Sequence, residues 1–133
     1  MSVNVEALVA KVPTGLLIGS SWRPSSSDEV FDVINPATEE KLAAVSSATS
    51  EDAVAALDAA CAVQQQWAAT SPRERAEILR RAYELVIARA DDFATLMTLE
   101  MGKPLAESHG EVVYGAEFLR WFSEEAVRDY GRY

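Results

Sequence analysis

The feature that most constrains this fold is a helix that stops and restarts within residues 98–131, TLEMGKPLAESHGEVVYGAEFLRWFSEEAVRDYG. Gly102 lacks a Cβ and so suits a left-handed helix cap, and Pro104 just beyond it cannot continue the helical hydrogen bonding. The helical period resumes near Leu105 and runs to about Arg128, with Val112, Ala116, Leu119 and Phe122 on one face. Two helices packed through apolar faces, with a sharp corner at Lys103, follow from this stretch alone.

Upstream, Ser71-Pro72-Arg73-Glu74 is a strong helix start. It combines an N-cap serine, proline at the first helical position and glutamate three residues after the cap. The helix it opens runs to about Ala90 with a stripe of Ile78, Leu79, Ala82, Leu85 and Val86. An earlier helix over residues 51–68 is capped by Thr49 or Ser50, with Glu51 and Asp52 favourable in its first turn. Ala53, Leu57, Ala60, Val63 (or Gln64) and Trp67 follow its period, and its alanine density predicts a close approach to neighbouring backbone. A further helix starts at Asp91 or Asp92, carries Phe93, Leu96 and Leu99, and ends at Gly102.

The first third of the chain reads differently. Residues 1–14 form an arm. Residues 15–22, GLLIGSSW, predict a strand with Gly19-Ser20-Ser21 as a turn or bulge. Residues 23–29 are a polar loop, and the apolar, β-branched residues 30–34 predict a second strand paired with the first. Asn35-Pro36-Ala37-Thr38 is a turn, and residues 42–47 a third, short strand. The expected segment is thus mainly helical, with four helices and a short N-terminal β-hairpin. It has no βαβ alternation and no glycine-rich phosphate loop. A lone hairpin is marginal and the helix stripes are wide, so the elements read as the flank of a larger fold.

Composition narrows the function classes. At 49% hydrophobic and 25% charged residues, the 133-residue chain is globular. A net charge of −9 disfavours nucleic acid and anionic lipid as partners. Cys61 is the single cysteine, so no internal disulfide forms and a cytoplasmic location is expected. No run approaches the ~18–20 apolar residues that span a bilayer.

The chemistry-bearing residues are sparse. Cys61 sits in an alanine-rich helix with no neighbouring histidine, which reads as a small packing residue. His109, the single histidine, lies beside Glu107 and Glu111 on a helix surface. Gly102-Lys103-Pro104 lacks the earlier glycine and the following Ser or Thr of a phosphate loop. Glu124 and Glu125 are adjacent and point apart. Arg73, Arg75, Arg80 and Arg81 are interleaved with acids, and helical spacing offers Arg80 and Arg81 the partners Glu77 and Glu84.

Taken in order, LLIGSSW, VINPATEEKLAAV, the Trp67 helix with SPRERAEILRRAYELV after it, and TLEMGKP resemble the N-terminal part of the aldehyde dehydrogenase superfamily. The final helix, GEVVYGAEFLRWFSEEAVRDYG, is most similar to the succinate-semialdehyde branch. The resemblance implies an α/β enzyme, with residues 15–133 a partial N-terminal part of its cofactor-binding domain. It implies oxidation of an aldehyde through a cysteine thiohemiacetal with hydride transfer to NAD or NADP, in a homodimer or homotetramer. The family's Pro-Trp-Asn motif, cofactor lysine, glycine-rich turn, general-base glutamate and nucleophilic cysteine lie further along. The segment itself is therefore expected to have no catalytic and no cofactor-binding residues, to bind no cofactor alone and to be inactive. Its partner is the remainder of the fold. The resemblance also implies a cation spot at Glu100 with the backbone of Val33 and Ile34, and a substrate-tunnel wall at Gly110, Glu111 and Tyr114. The alternative is a truncated non-catalytic module that binds a partner or a full-length subunit.

Overall fold

The computed structural model describes residues 4–128. The first three residues of the expected arm and residues 129–131 of the helix-corner stretch lie outside them. The chain divides into two compact units, one of residues 4–69 with Leu99–Gly102, the other of Thr70–Thr98 with the residues from Lys103 onward.

The first unit opens on α1 (Val5–Val9), where the Asn4 side chain accepts from the Ala7 N–H at 3.0 Å. Two antiparallel pairs follow: β1 (Leu16–Ile18) with β2 (Ser21–Arg23), and β3 (Val30–Ile34) with β4 (Lys41–Ser46). The expected pairing of residues 15–22 with 30–34 is not made. Gly19, at φ +63°, lets the first run fold back on itself, so that Leu17 faces Trp22. The second hairpin closes through Asn35, whose side chain accepts from the Ala37 N–H at 2.9 Å and whose carbonyl accepts from the Glu39 N–H at 2.8 Å. Lys41 and Asp32 pair across it at 2.6 Å.

Helix α2 (Ser50–Ala69) packs against β1, and its start carries the most densely bonded polar cluster of the unit. Thr49 and Asp52 bond reciprocally. The Asp52 N–H donates to Thr49 Oγ1 at 3.2 Å, and the Thr49 N–H donates to Asp52 Oδ2 at 3.0 Å. The carboxylate, buried to 2% exposure, also accepts from Ser25 Oγ at 3.0 Å, the Ser26 N–H at 3.1 Å and Arg23 at 3.3 Å. The backbone N–H groups of Thr49 and Ser26, then the hydroxyls of Ser25 and Thr49, hold its pKa far below the usual carboxylate range.

That depression sets the sign of the pH dependence. A carboxylate whose folded pKa is depressed adds stability in full above its unfolded value near ~4, and loses it as pH falls through the folded value. We expect the stability gap between wild type and Asp52→Asn to be constant from neutral pH to about pH 5 and to shrink steadily below it. Urea midpoints measured across that range check this, and a gap that widens toward acid would contradict the assignment.

The second unit is helical. In α3 (Pro72–Ala88) the predicted capping box is present, Ser71 Oγ accepting from the Glu74 N–H at 3.2 Å and Glu74 accepting from the Ser71 N–H at 3.1 Å. Helix α4 (Ala90–Met101) follows at once, and α5 (Leu105–Glu125) packs along α3. The core is Ala90, Ala94 and Val112, with Val86 and Met97 packed against them. Ala76 and Ala116 are buried nearby. Small side chains at these positions let the helices approach closely. Thr98 and Ser108 exchange a 2.9 Å hydroxyl bond, and the Arg120 guanidinium lies 5.9 Å from the centre of the Tyr83 ring.

The mainly helical class with short antiparallel strands is as expected, with α1 and a second strand pair added. Several predicted stripe residues are not covered. Leu57 and Trp67 on α2, Ile78 and Leu85 on α3, and Phe122 on α5 are all exposed. Ile78 and Leu85 lie about a quarter to a third of a turn from the Leu79–Val86 line that α3 turns inward, by helix geometry. No helix among the described residues is long and apolar enough to cross a membrane.

Candidate functional site

The corner before α5 forms as the sequence predicts. Gly102 has φ +73°, and the Pro104 carbonyl accepts from the N–H groups of Glu107 and Ser108 at 3.0 and 3.1 Å. Lys103 reaches over the first turn to pair with Glu111.

Helix α5 is apolar on two faces. Ser108, Val112, Ala116 and Ser123 are buried on one of them. About half a turn round lie Gly110, Tyr114 and Trp121, with Phe118 and Phe122 in the adjoining row, from 3.6 residues per turn. Tyr114 is 69% and Trp121 61% exposed. The Tyr114 and Phe118 rings meet edge to face at 5.2 Å. These aromatics line an open depression of about 430 Å³, flanked by Glu117, Arg120 and Glu124. A helix with apolar residues on both faces is the pattern of a buried helix, yet only one face is covered here.

Of the expected tunnel residues, Gly110 and Tyr114 fall on this aromatic face, one turn apart. Glu111 lies at its edge, held toward the corner by Lys103. The helical period read from Val112, Ala116, Leu119 and Phe122 marks only the Val112 face. The i, i+4, i+7 spacing of Tyr114, Phe118 and Trp121 was the available signal for the second face.

The expected cation residues lie in the other unit. Val33 and Ile34 sit where the β3–β4 register shifts, which frees backbone groups from the ladder. The end of α4 reaches the turn after β3, since a Cβ built on Gly102 would stand 3.0 Å from Pro36 Cγ. The side chain of Glu100, exposed, makes no hydrogen bond or ion pair among the described residues. No group of three or more His, Cys, Asp or Glu side chains among the described residues is placed to hold a metal ion.

The remaining chemistry-bearing residues are surface residues. Cys61 is an exposed free thiol. His109 lies 3.6 Å from Asp91, both exposed. Arg80 takes Glu77 at 2.8 Å and also pairs with Glu84, and its hydrogen bond to Glu77 raises its pKa above the ordinary arginine value. Arg81 forms no such pair among the described residues.

Against known proteins, the sequence model of the aldehyde dehydrogenase family matches residues 22–133. The chain belongs to the aldehyde dehydrogenase family. It is 78% identical over 92 residues to a succinate-semialdehyde dehydrogenase of Paenarthrobacter nicotinovorans, covering 69% of this chain and 20% of the relative. It is 45% identical over 115 residues to an NADP+-dependent succinate-semialdehyde dehydrogenase of Escherichia coli, covering 86% of this chain and 24% of the relative. The fold matches the crystal structure of an E. coli NADP-dependent enzyme with a TM-score of 0.90 at 41% identity, over 98% of this chain and 27% of that one. The chain thus spans about a fifth to a quarter of the length of these aldehyde dehydrogenases.

Proposed function

We propose that residues 15–133, preceded by an arm of residues 1–14, form the N-terminal part of the cofactor-binding domain of an NAD- or NADP-dependent aldehyde dehydrogenase that oxidises succinate semialdehyde to succinate. The observation that carries this reading is the 78% identity to a succinate-semialdehyde dehydrogenase over 92 residues. In this reading the intact enzyme is a cytoplasmic homodimer or homotetramer. The covered partner of the segment is the remainder of its own fold.

In this reading the dinucleotide site is supplied by the remainder of the fold. A phosphate needs free N–H groups at a helix N-terminus, usually after a glycine-rich turn from a strand. Helix α2 follows β4 through Ser47, Ala48 and Thr49, with no glycine. At its start the Asp52 N–H is taken by Thr49 Oγ1, and the Asp52 carboxylate takes the Thr49 N–H. The reading assigns no step of the reaction to these residues. The 133-residue chain, given succinate semialdehyde with NAD+ or NADP+, is expected to form no reduced cofactor. Turnover by that chain would overturn the reading, as would a reading frame that does not continue past codon 133 into Pro-Trp-Asn and a later cysteine.

Within the same reading, Gly110, Glu111 and Tyr114 line the approach to the reacting aldehyde, and Glu100 with the carbonyls of Val33 and Ile34 holds a hard cation. The aromatic row on α5 and the unpartnered Glu100 support these placements. In the intact enzyme, Tyr114→Ala should raise KM for the aldehyde several-fold with kcat little changed, since it removes binding surface and no reacting group. Glu100→Gln should abolish any rise in thermal midpoint on adding sodium, potassium or magnesium. Unchanged KM or an undiminished cation effect would remove the respective assignment.

A second reading, a non-catalytic module that binds a partner or a full-length subunit, is favoured by the exposed aromatic row of Tyr114, Phe118, Trp121 and Phe122. Co-expression with a full-length subunit separates the two. A stable mixed complex on size-exclusion chromatography supports the module, and a monomer that never co-elutes removes it.

A further inference from the structure

We draw no further inference here: the strongest candidate, the exposed aromatic face of α5 around Tyr114, Phe118, Trp121 and Phe122, is already used in both readings of the proposed function, and nothing in the structure shows what covers it.

Discussion

Replacing Gly102 with valine should lower stability by about 2 kcal/mol, while replacing Gly110 with alanine should raise it by roughly 0.5–1 kcal/mol. The opposite signs come from the backbone. Gly102 ends α4 at φ +73°, where a β-branched side chain is strained. A Cβ there also presses on Pro36 Cγ at 3.0 Å, so the turn after β3 must give way. Gly110 lies inside α5, and a Cβ there meets nothing within 4 Å. Alanine at 110 therefore adds helix propensity without a clash. Gly102→Asn should recover much of the loss, because asparagine tolerates the left-handed cap. Urea denaturation followed by far-UV circular dichroism reads all three. A Gly102→Val midpoint equal to wild type would mean that the corner is not a stability determinant.

That contrast shows how much was legible in the sequence. Local chemistry was readable because its causes lie within a few residues. The Ser71 capping box, the Gly102 stop and the Pro104 restart each fix backbone atoms nearby, and the helix limits came out within a few residues of the structure. Strand pairing was less readable. Residues 15–22 could extend as one strand or fold back at Gly19, and only the choice of partner decides between them. Asp52 was recognised as a first-turn acid, but its bonds to Ser25 and Ser26 join segments 26 and 27 residues apart, which no spacing rule reveals. The candidate site was harder still. Periodicity finds an apolar stripe, but cannot say which of two stripes is covered. On α5 the Val112 face is covered by neighbours in this chain, whereas the Tyr114 face is exposed. Glu100 and Tyr114 are singled out by family resemblance alone, because one carboxylate and one phenol carry no distinctive pattern of their own.

The second large effect is expected at Ala94, fully buried between Ala90, Val112, Val86 and Met97. Ala94→Leu should cost about 1–3 kcal/mol, because the added carbons have no space and must push helices apart or force strained rotamers. Val112→Ala probes the same contact from the other side. It removes two methyl groups at roughly 0.8 kcal/mol each and leaves a small void, for a total of about 2 kcal/mol. The pair is informative in combination. If the helices are held at close range by small side chains, the double variant Ala94→Leu/Val112→Ala should recover part of the loss, since one change supplies volume that the other removes. Additive losses would mean that the larger side chain introduced at position 94 does not reach the space vacated at position 112. Trp121→Ser, on the uncovered face of the same helix, should shift the urea midpoint little. A core variant that is costly beside an aromatic variant that is neutral would show that α5 folds through its Val112 face and that its Tyr114 face adds little to the stability of this chain.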